Sequence, residues 1–368
     1  MGAKQAVLLF SLILALGFIP LLVFSAQAIP FERLESLRVV KKVNKNGPFL
    51  GLITVYAPEE EAFFKTGVFR PNPRHPFVDL SGRRFRIGKV EGKKVIYVKC
   101  GVGLCFYSCP LVDDKRPING RDEMVEISPV NAAAATQQML DLFDIKGIIH
   151  FGISGNANSS MQIGDVTIPG QLAQTGLWDW LKPNATMEPN DFAQFDFKSY
   201  NDPKGGENQL GKVGYSTEQF YSAAGEVNVP QRPVWFNITN NWLHVASHLQ
   251  GIKLDQCANS TLCLPEKPKL VVGLKGATSN FFIDNAAYTQ FLFKTFAVTS
   301  LDMESSAVVM TCLSNGYPVI AIRGLSDLAG TQKGDNTIRL FGSLAALNTA
   351  KVVIGFVKSL PINHVSRF

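Results

Sequence analysis

Short apolar runs that alternate with helix-like segments restrict the fold of this chain more than any other feature. The run at 49–57, FLGLITVYA, is followed by EEEAFFK, whose acidic residues are typical of the first turn of a helix. Segment 131–144 has a helical composition and leads into the apolar IIHFGI, and the same alternation returns after residue 268. This order predicts an α/β domain with a largely parallel central sheet and ligands at the strand ends.

Residues 83–100 alternate between apolar and polar positions on both sides of Glu91-Gly92, which predicts a β-hairpin. Further helices are expected at about 285–296, after residue 304, and at the end of the chain to about Lys358. No internal repeat or Pro/Ser/Gly linker divides the sequence. We therefore expect one domain over residues 29–368, with insertions at about 105–129 and 170–268.

Residues 1–28 have the composition of a secretory signal peptide. Lys4 precedes an apolar run at 6–24, and SAQA at 25–28 offers small residues at the spacing of a cleavage site. We expect the mature chain to begin near Ile29. The run is long for a signal peptide, so an uncleaved membrane anchor is the alternative, but Pro20 inside the run favours cleavage.

Sequons and cysteines agree with the secretory pathway. Cys257 and Cys263 are two of six cysteines and bracket a short polar loop, so they could form a disulfide in an oxidising compartment, whereas Cys312 is expected to be a buried thiol. Four asparagines are in N-glycosylation sequons: Asn158, Asn184, Asn237 and Asn259.

Charge and histidine spacing exclude two classes of site. The net charge of +6 is spread over isolated basic doublets, so nucleic-acid binding is not predicted. His244 and His248 lie four residues apart, as in some metal sites, but no third ligand is near in the sequence. We interpret the pair as part of a surface helix and predict no metal.

Three carboxylates lie at predicted junctions between a strand and a helix: Glu61, Glu304 and Asp327. Any one of them could be a helix cap, and capping accounts well for the neighbouring Asp302. Three such groups at the strand ends of one sheet favour a shared ligand site instead.

Between these carboxylates, the segment HFGISGNANSSMQIGDV at 150–166 predicts a strand followed by a tight turn. Ser154 and Gly155 lie in this turn, whose backbone N–H groups could bind a phosphate or a sugar hydroxyl. The segment lacks the second glycine of a Gly-x-Ser-x-Gly elbow, which argues against a serine hydrolase. It is not a dinucleotide-binding fingerprint either.

Several segments together resemble the nucleoside phosphorylase and methylthioadenosine/adenosylhomocysteine nucleosidase family: GLITVYAPEEEAF, VNAAAATQQML, HFGISGNANSSMQIGDV, FFIDNAAY, LDMESSAV and IRGLSDLAG. The middle region and the signal peptide resemble its plant branch, the bark and vegetative storage proteins. The resemblance implies a three-layer α/β/α domain around a twisted mixed sheet, a homo-oligomer, and a location in the vacuole or outside the cell.

The resemblance also implies roles for individual residues. Glu61 would activate the attacking water or phosphate, and Asp327, next to Ser326, would protonate a purine nitrogen. No cofactor is implied, although phosphate is a possible co-substrate. The remaining substrate-binding positions are Met303 and Glu304 at the ribose, Phe282 and Ile283 at the base, and Ser154 and Gly155 in the turn.

The chemistry of N-glycosidic cleavage agrees with these roles. Breaking the C–N bond builds positive charge on the sugar and negative charge on the base, so a site needs an acid at the base and an activated nucleophile on the opposite face. A buried acid can stay protonated near neutral pH because burial disfavours its charged form.

Two departures from the family pattern leave alternatives open. Residues 105–129 separate Gly103 from Val130, and Ile153-Ser154 replace the Ser-Ala of family nucleosidases. The chain could cleave purine, adenine-type or cytokinin ribosides, could be a storage glycoprotein on the same fold, or could bind nucleosides without cleaving them. Arg323 and Arg339 are candidates for phosphate contacts by position only, and a structural or surface role is the simpler interpretation of each.

Overall fold

The computed structural model describes residues 31–101, 129–182, 193–196 and 211–361. Within these ranges the chain forms seven α-helices and sixteen strands. The helices are α1 (Phe31–Asn44), α2 (Ala57–Lys65), α3 (Pro129–Leu142), α4 (Asn240–Ser247), α5 (Ala286–Phe296), α6 (Ser305–Ser314) and α7 (Ile338–Ser359). The strands are β1 (Phe49–Thr54), β2 (Arg70–Pro71), β3 (Phe77–Leu80), β4 (Arg83–Val90), β5 (Lys93–Lys99), β6 (Ile145–Asn156), β7 (Val166–Ile168), β8 (Gln171–Gln174), β9 (Trp178–Leu181), β10 (Gln194–Asp196), β11 (Lys212–Tyr215), β12 (Phe236–Asn237), β13 (Leu270–Val272), β14 (Lys275–Thr278), β15 (Val298–Asp302) and β16 (Val319–Asp327).

Thirteen strands form one mixed sheet, and β9, β10 and β11 form a small antiparallel one. The main path of the large sheet is β12-β8-β14-β15-β6-β1-β5-β4-β2, with β16 against β6 and β7, β13 against β7, and β3 against β4. β6 pairs in parallel with both β1 and β16. The carboxyl ends of these three strands therefore meet at one edge, where open α/β sheets bind ligands.

Helices cover both faces of the sheet. Successive side chains of a strand point to opposite faces. On β16, Arg323 contacts Ser305 of α6, whereas a Cβ on Gly324 would meet Thr349 of α7. Since α6 packs on α3 and α7 packs on α2, the sheet lies between two helical layers. The three-layer α/β/α fold expected from the sequence is confirmed.

The core is centred on strands that are buried on both faces. All six residues of β1 and all nine of β16 are buried, which explains their nearly continuous apolar sequence. Each fully buried Leu or Ile contributes about 1.5–3 kcal/mol of transfer free energy. Within the described ranges, α7 is the one helix long and apolar enough to cross a membrane, and because it packs on β16 it is a core helix.

The local predictions can be compared with the structure at two places. β4 and β5 form the expected hairpin, which turns at Glu91 and Gly92 in left-handed conformations with φ of 50° and 76°. The stretch 170–268 was expected as an insertion, but its described part supplies β8, which lies between β12 and β14. Leu172 and Trp242 from this stretch are buried in the main core.

Some predicted features lie outside the described residues. These are the signal peptide at 1–28, the sequon at Asn184 and, apart from Pro129, the segment 105–129. Among the described cysteines, Cys257 and Cys263 are joined in a disulfide, and Cys312 is a buried free thiol on α6.

Candidate active site

Five of the predicted site residues line one cleft at the carboxyl ends of the central strands: Gly155, Phe282, Ile283, Met303 and Asp327. The cleft is partly open to solvent, and apolar and acidic side chains line it together. Its position follows from the register of β6, since Gly155 pairs with Leu301 of β15 on one side and with Asp327 of β16 on the other. The lining residues are Gly155, Phe281, Phe282, Ile283, Leu301, Asp302, Met303 and Asp327.

Asp327 ends β16 as a buried carboxyl group held by neutral donors. Its Oδ2 accepts a hydrogen bond from Ser326 Oγ at 2.8 Å. Its Oδ1 accepts from the Ala329 N–H at 2.8 Å and from Asn336 Nδ2 at 3.4 Å. Burial raises the pKa of Asp327 above its ordinary value, and the negative charge of Asp284 adds to this, against the effect of the hydrogen bonds. The structure thus places a buried carboxyl group of raised pKa in the cleft.

Asp302 is the last residue of β15, and its side chain accepts from the first N–H groups of the segment that begins α6, which is the capping role expected from the sequence. Its Oδ1 accepts from the N–H groups of Glu304 at 3.1 Å and Ser305 at 2.9 Å, and from Thr278 Oγ1 at 2.7 Å. Its Oδ2 lies 3.1 Å from Arg323 Nε. Burial by itself would raise the pKa of Asp302, but the Arg323 guanidinium and these hydrogen bonds lower it overall.

Glu304 differs from its neighbour, although only one residue separates them. Its Oε2 lies 3.6 Å from Arg323 Nη2, and its buried Oε1 has no hydrogen-bond partner within the described part of the chain. Burial raises the pKa of Glu304 to about 8, because the pull of Arg323 is opposed by the negative charges of Asp302 and Glu59. A buried carboxyl oxygen left open in this way is suited to a ligand hydroxyl.

The glutamate that reaches this cluster from α2 is Glu59, which corrects the prediction of Glu61. Glu61 is exposed on the outer side of α2. Glu59 is buried, with Oε1 accepting from the Ile153 N–H at 2.8 Å and Oε2 from the Val55 and Tyr56 N–H groups at 2.9 and 3.0 Å. Burial raises the pKa of Glu59, against the opposing effects of Arg323 and these three bonds.

The helical period explains the correction. Glu59 precedes the buried Ala62 and Phe63 by three and four residues, so it shares their face of α2, and Glu61 does not. The prediction counted residues from Ala57 and ignored the phase of the helix. That phase was available from the apolar residues of the sequence.

Gly152 on β6 provides the space in which Glu59 approaches the centre of the cluster. A Cβ at this position would lie 2.2 Å from Glu59 Oε1 and 2.6 Å from Arg323 Nη1. Any side chain at residue 152 would therefore collide with both groups. The glycine is required by close packing of the acid and the base.

Arg323 is the fully buried cation of the cluster, which excludes a surface position and agrees with the simpler interpretation of a structural role. Its Nε donates to Ser305 Oγ at 2.9 Å and its Nη1 to the Ile153 carbonyl at 3.3 Å. Its Nη2 donates to Nε2 of His150, a residue that the sequence analysis did not select. Arg339 is exposed on α7 and is not in the cluster.

Other predicted positions have defined places as well. Ser154 is buried, and its Oγ has no hydrogen-bond partner within the described residues. Asn158 is half-buried and its Nδ2 donates to Thr299 Oγ1 at 3.2 Å, whereas Asn237 and Asn259 are exposed. His244 on α4 and His248 just after it contact each other edge to face, and among the described residues no group of three or more metal-ligating side chains is found.

Comparison with known proteins identifies relatives over nearly the same length. The family model of the phosphorylase superfamily matches residues 50–358. Bark storage protein A of Populus deltoides is 31% identical over 315 residues, covering 85% of this chain and 89% of that protein. A 5'-methylthioadenosine/S-adenosylhomocysteine nucleosidase of Halalkalibacterium halodurans is 23% identical over 277 residues, covering 75% of this chain and 85% of the relative.

Solved structures share the fold at low sequence identity. A 5'-methylthioadenosine/S-adenosylhomocysteine nucleosidase from Helicobacter pylori, bound to butyl-thio-DADMe-Immucillin-A, aligns with a TM-score of 0.55 and 15% identity over 86% of this chain and all of the other. The corresponding enzyme from Colwellia psychrerythraea, in complex with adenine, gives 0.54 and 18% over 84% of this chain and 95% of that one.

Proposed function

This chain belongs to the phosphorylase superfamily, and we propose that it cleaves the N-glycosidic bond of purine ribosides, of the adenine or cytokinin type. The observation that carries the proposal is the buried Asp327, an acid of raised pKa that lines the cleft, whereas Glu59 and Glu304 belong to a separate group around Arg323 that reaches the cleft through Asp302. N-glycosidic cleavage needs this separation of acid and nucleophile.

The proton of Asp327 is best assigned to Oδ2. Oδ1 already accepts from two N–H groups, whereas Oδ2 accepts only from Ser326 Oγ. A proton on Oδ2 can be donated to a ring nitrogen of the departing base, which lowers the cost of charge on that base. Phe282 and Ile283 form the wall of the cleft on which a flat purine would lie.

The sugar would occupy the side of the cleft lined by Met303, next to Glu304 in the chain. Met303 is buried and lines the cleft, and its polarizable thioether suits packing against a ribose. Glu304 Oε1 is free to accept from a sugar hydroxyl. Positive charge that develops on the ribosyl ring would strengthen these contacts in the transition state.

Glu59 is the residue we propose as activator of the nucleophile. Three backbone N–H groups fix both of its oxygens, so the carboxyl group is held in place before a substrate arrives. Burial raises its pKa above the ordinary value, which makes the carboxylate a stronger base. Ser154 and Gly155 in the adjoining end of β6 would contact the same region.

Charge in the cluster favours water over phosphate as the nucleophile. Three buried carboxyl groups, Glu59, Asp302 and Glu304, surround Arg323, and that cation is engaged by Asp302, His150, Ser305 and a carbonyl. Within the described residues, no basic side chain of this cluster is left to neutralise a phosphate dianion. A phosphate dianion would be repelled by the carboxylates of the cluster, whereas a neutral water molecule would not.

Product analysis tests this proposal. The purified protein is incubated with adenosine, inosine, methylthioadenosine and a cytokinin riboside, with and without phosphate, and the free base, ribose and ribose-1-phosphate are measured. We expect free base and free ribose whether or not phosphate is present. Ribose-1-phosphate formed only with phosphate would identify a phosphorylase, and no base from any substrate would contradict the enzymatic proposal.

A storage role is the second candidate, favoured by the 31% identity to bark storage protein A. Ile153-Ser154 stand where the family pattern has Ser-Ala, which alters the nucleophile side of the site and also favours a storage role. For either function we propose passage through the secretory pathway to the vacuole or cell exterior, and a homo-oligomer. The N-terminal sequence of the protein from its own tissue, expected near Ile29, and its mass in solution test these points.

A further inference from the structure

His150 is a fully buried polar residue that the proposed mechanism does not use. It lies in the middle of β6, opposite Ile53 of β1 and Ala321 of β16. Its Nδ1 is 3.1 Å from the carbonyl oxygen of Ile53, and its Nε2 faces Arg323 Nη2. Both ring nitrogens therefore have partners in the interior of the protein.

The two partners determine the protonation of the ring. A carbonyl oxygen can only accept, so Nδ1 carries a proton. A guanidinium can only donate, so Nε2 carries none and accepts from Nη2. His150 is thus a neutral imidazole in the Nδ1–H form. Burial and the adjacent Arg323 lower the pKa of His150 to about 3, which agrees with this assignment.

The acceptor at Nε2 competes with Glu304 for the same guanidinium nitrogen. Nη2 makes its hydrogen bond to His150, while Glu304 Oε2 is left at 3.6 Å. On the other side, Arg323 Nε contacts Ser305 and Asp302, so the guanidinium is held in place only while contacts on both sides, including the one to His150, are present. Glu304 is consequently only loosely paired, and its Oε1 has no partner within the described residues.

We infer that His150 is a positioning residue: by accepting from Nη2 it keeps Arg323 from closing onto Glu304 and so leaves the Glu304 carboxyl group available to a ligand hydroxyl. The role towards a ligand rests on the function proposed above. The arrangement of His150, Arg323 and Glu304 in the free protein does not, and it can be measured separately.

The test compares two amides at residue 150 that differ in reach. In His150→Asn, the side chain can still donate to the Ile53 carbonyl but has no atom near the position of Nε2. In His150→Gln, the longer side chain returns an acceptor to that position. The Glu304 carboxyl is followed by NMR of protein labelled with ¹³C at the glutamate carboxyl, and its resonance is assigned with Glu304→Gln.

We expect Glu304 to titrate near pH 8 in the wild type. In His150→Asn, Nη2 turns to Glu304, and the closer cation lowers the titration midpoint by at least about one pH unit. His150→Gln stays close to the wild type. The other charged or ionisable groups that act on or near Glu304 (Asp302 of β15, Glu59 of α2 and Cys100 after β5) are unchanged in both variants.

An equal Glu304 midpoint in wild type and His150→Asn would overturn the inference. So would ¹⁵N imidazole shifts of the wild type that show a proton on Nε2, a measurement that needs no variant. If the variants are active, the pH profile of kcat/KM moves with the Glu304 midpoint in His150→Asn and returns in His150→Gln. A wild type that cleaves no nucleoside defeats the proposed function but leaves the NMR test intact.

Discussion

The two ends of the cleft hold their carboxyl groups by different means. At one end, Asp327 is surrounded by neutral donors from Ser326, Ala329 and Asn336. At the other, three carboxyl groups share Arg323. One buried cation is enough to lower the pKa of Asp302 but not those of Glu59 and Glu304. Burial without a cation and burial with too few cations both raise the pKa of a carboxyl group.

This difference has a chemical consequence. At the Asp327 end, burial and the negative charge of Asp284 raise the pKa of the carboxyl group, which suits it to act as an acid. At the Arg323 end, the pKa values of Glu59, Asp302 and Glu304 all depend on how close the guanidinium lies to each carboxyl group. The first can be disturbed only by changing Asp327 or its donors, whereas the second is sensitive to every group that contacts Arg323.

The largest effect is expected from Glu59→Gln. The substitution removes the proposed base. In the wild type both carboxylate oxygens accept from backbone N–H groups, and in the variant the amide NH₂ would face some of these donors without being able to accept from them. We expect turnover to fall by about 10²–10⁴. The matched control is Glu61→Gln on the exposed side of the same helix, which should leave turnover unchanged. Equal losses of turnover in the two variants would show that the effect comes from disturbing α2 and not from loss of the Glu59 carboxylate.

Arg323→Met tests the charge balance of the cluster. Without the cation, buried carboxyl groups lose their counter-ion, and we expect a loss of about 3–5 kcal/mol in the free energy of unfolding at pH 7. The loss should shrink at acidic pH, where these groups can take up protons. Denaturant unfolding at both pH values measures it. Arg339→Met, an exposed change on α7, should stay within about 0.5 kcal/mol of wild type.

Gly152→Ala tests the close approach of Glu59 and Arg323. The new methyl group would overlap Glu59 Oε1 and Arg323 Nη1, so we expect a loss of about 1–3 kcal/mol in unfolding free energy. Turnover should fall as well, because the carboxyl group and the guanidinium must move apart. The control is Gly342→Ala on α7, where an added Cβ would make only ordinary van der Waals contacts. Wild-type stability of Gly152→Ala would show that the cluster is loosely packed.

A smaller effect is expected from Glu304→Gln, as a change in the pH dependence of stability. The pKa of Glu304 is about 8 in the folded protein and ordinarily 4.5, so the folded state holds an extra proton between these values. Stability from this group is therefore full below the lower value and declines as pH rises to 8. Glu304→Gln should flatten that decline in unfolding titrations from pH 5 to 9, while Glu61→Gln should not. An unchanged slope would mean that Glu304 is ionised throughout.

Much of this architecture could be predicted from sequence because it follows local patterns. The strand-helix alternation, the hairpin at Glu91-Gly92 and the cap at Asp302 all depend on residues close together in the chain. The resemblance to a known family predicted that Asp327, Met303 and Phe282 would share a site, and the structure places them around one cleft.

What could not be predicted depends on contacts between distant residues. His150 and Arg323 are 173 positions apart, and neither has a motif that links it to the other. A histidine inside the apolar strand IIHFGI was nevertheless a signal, since a buried polar side chain needs a partner. The choice of Glu61 over Glu59 failed for a simpler reason, because the helical phase was not applied.

The most direct test of the account is a comparison of base release by wild type and Asp327→Asn. The variant keeps the shape of the side chain but has no acidic proton, so release of adenine from methylthioadenosine or adenosine should slow by about 10²–10⁴ while the unfolding temperature stays close to that of wild type. Equal rates of base release from every nucleoside tested, in two equally stable proteins, would contradict the assignment of Asp327 as the acid and with it the proposed reaction.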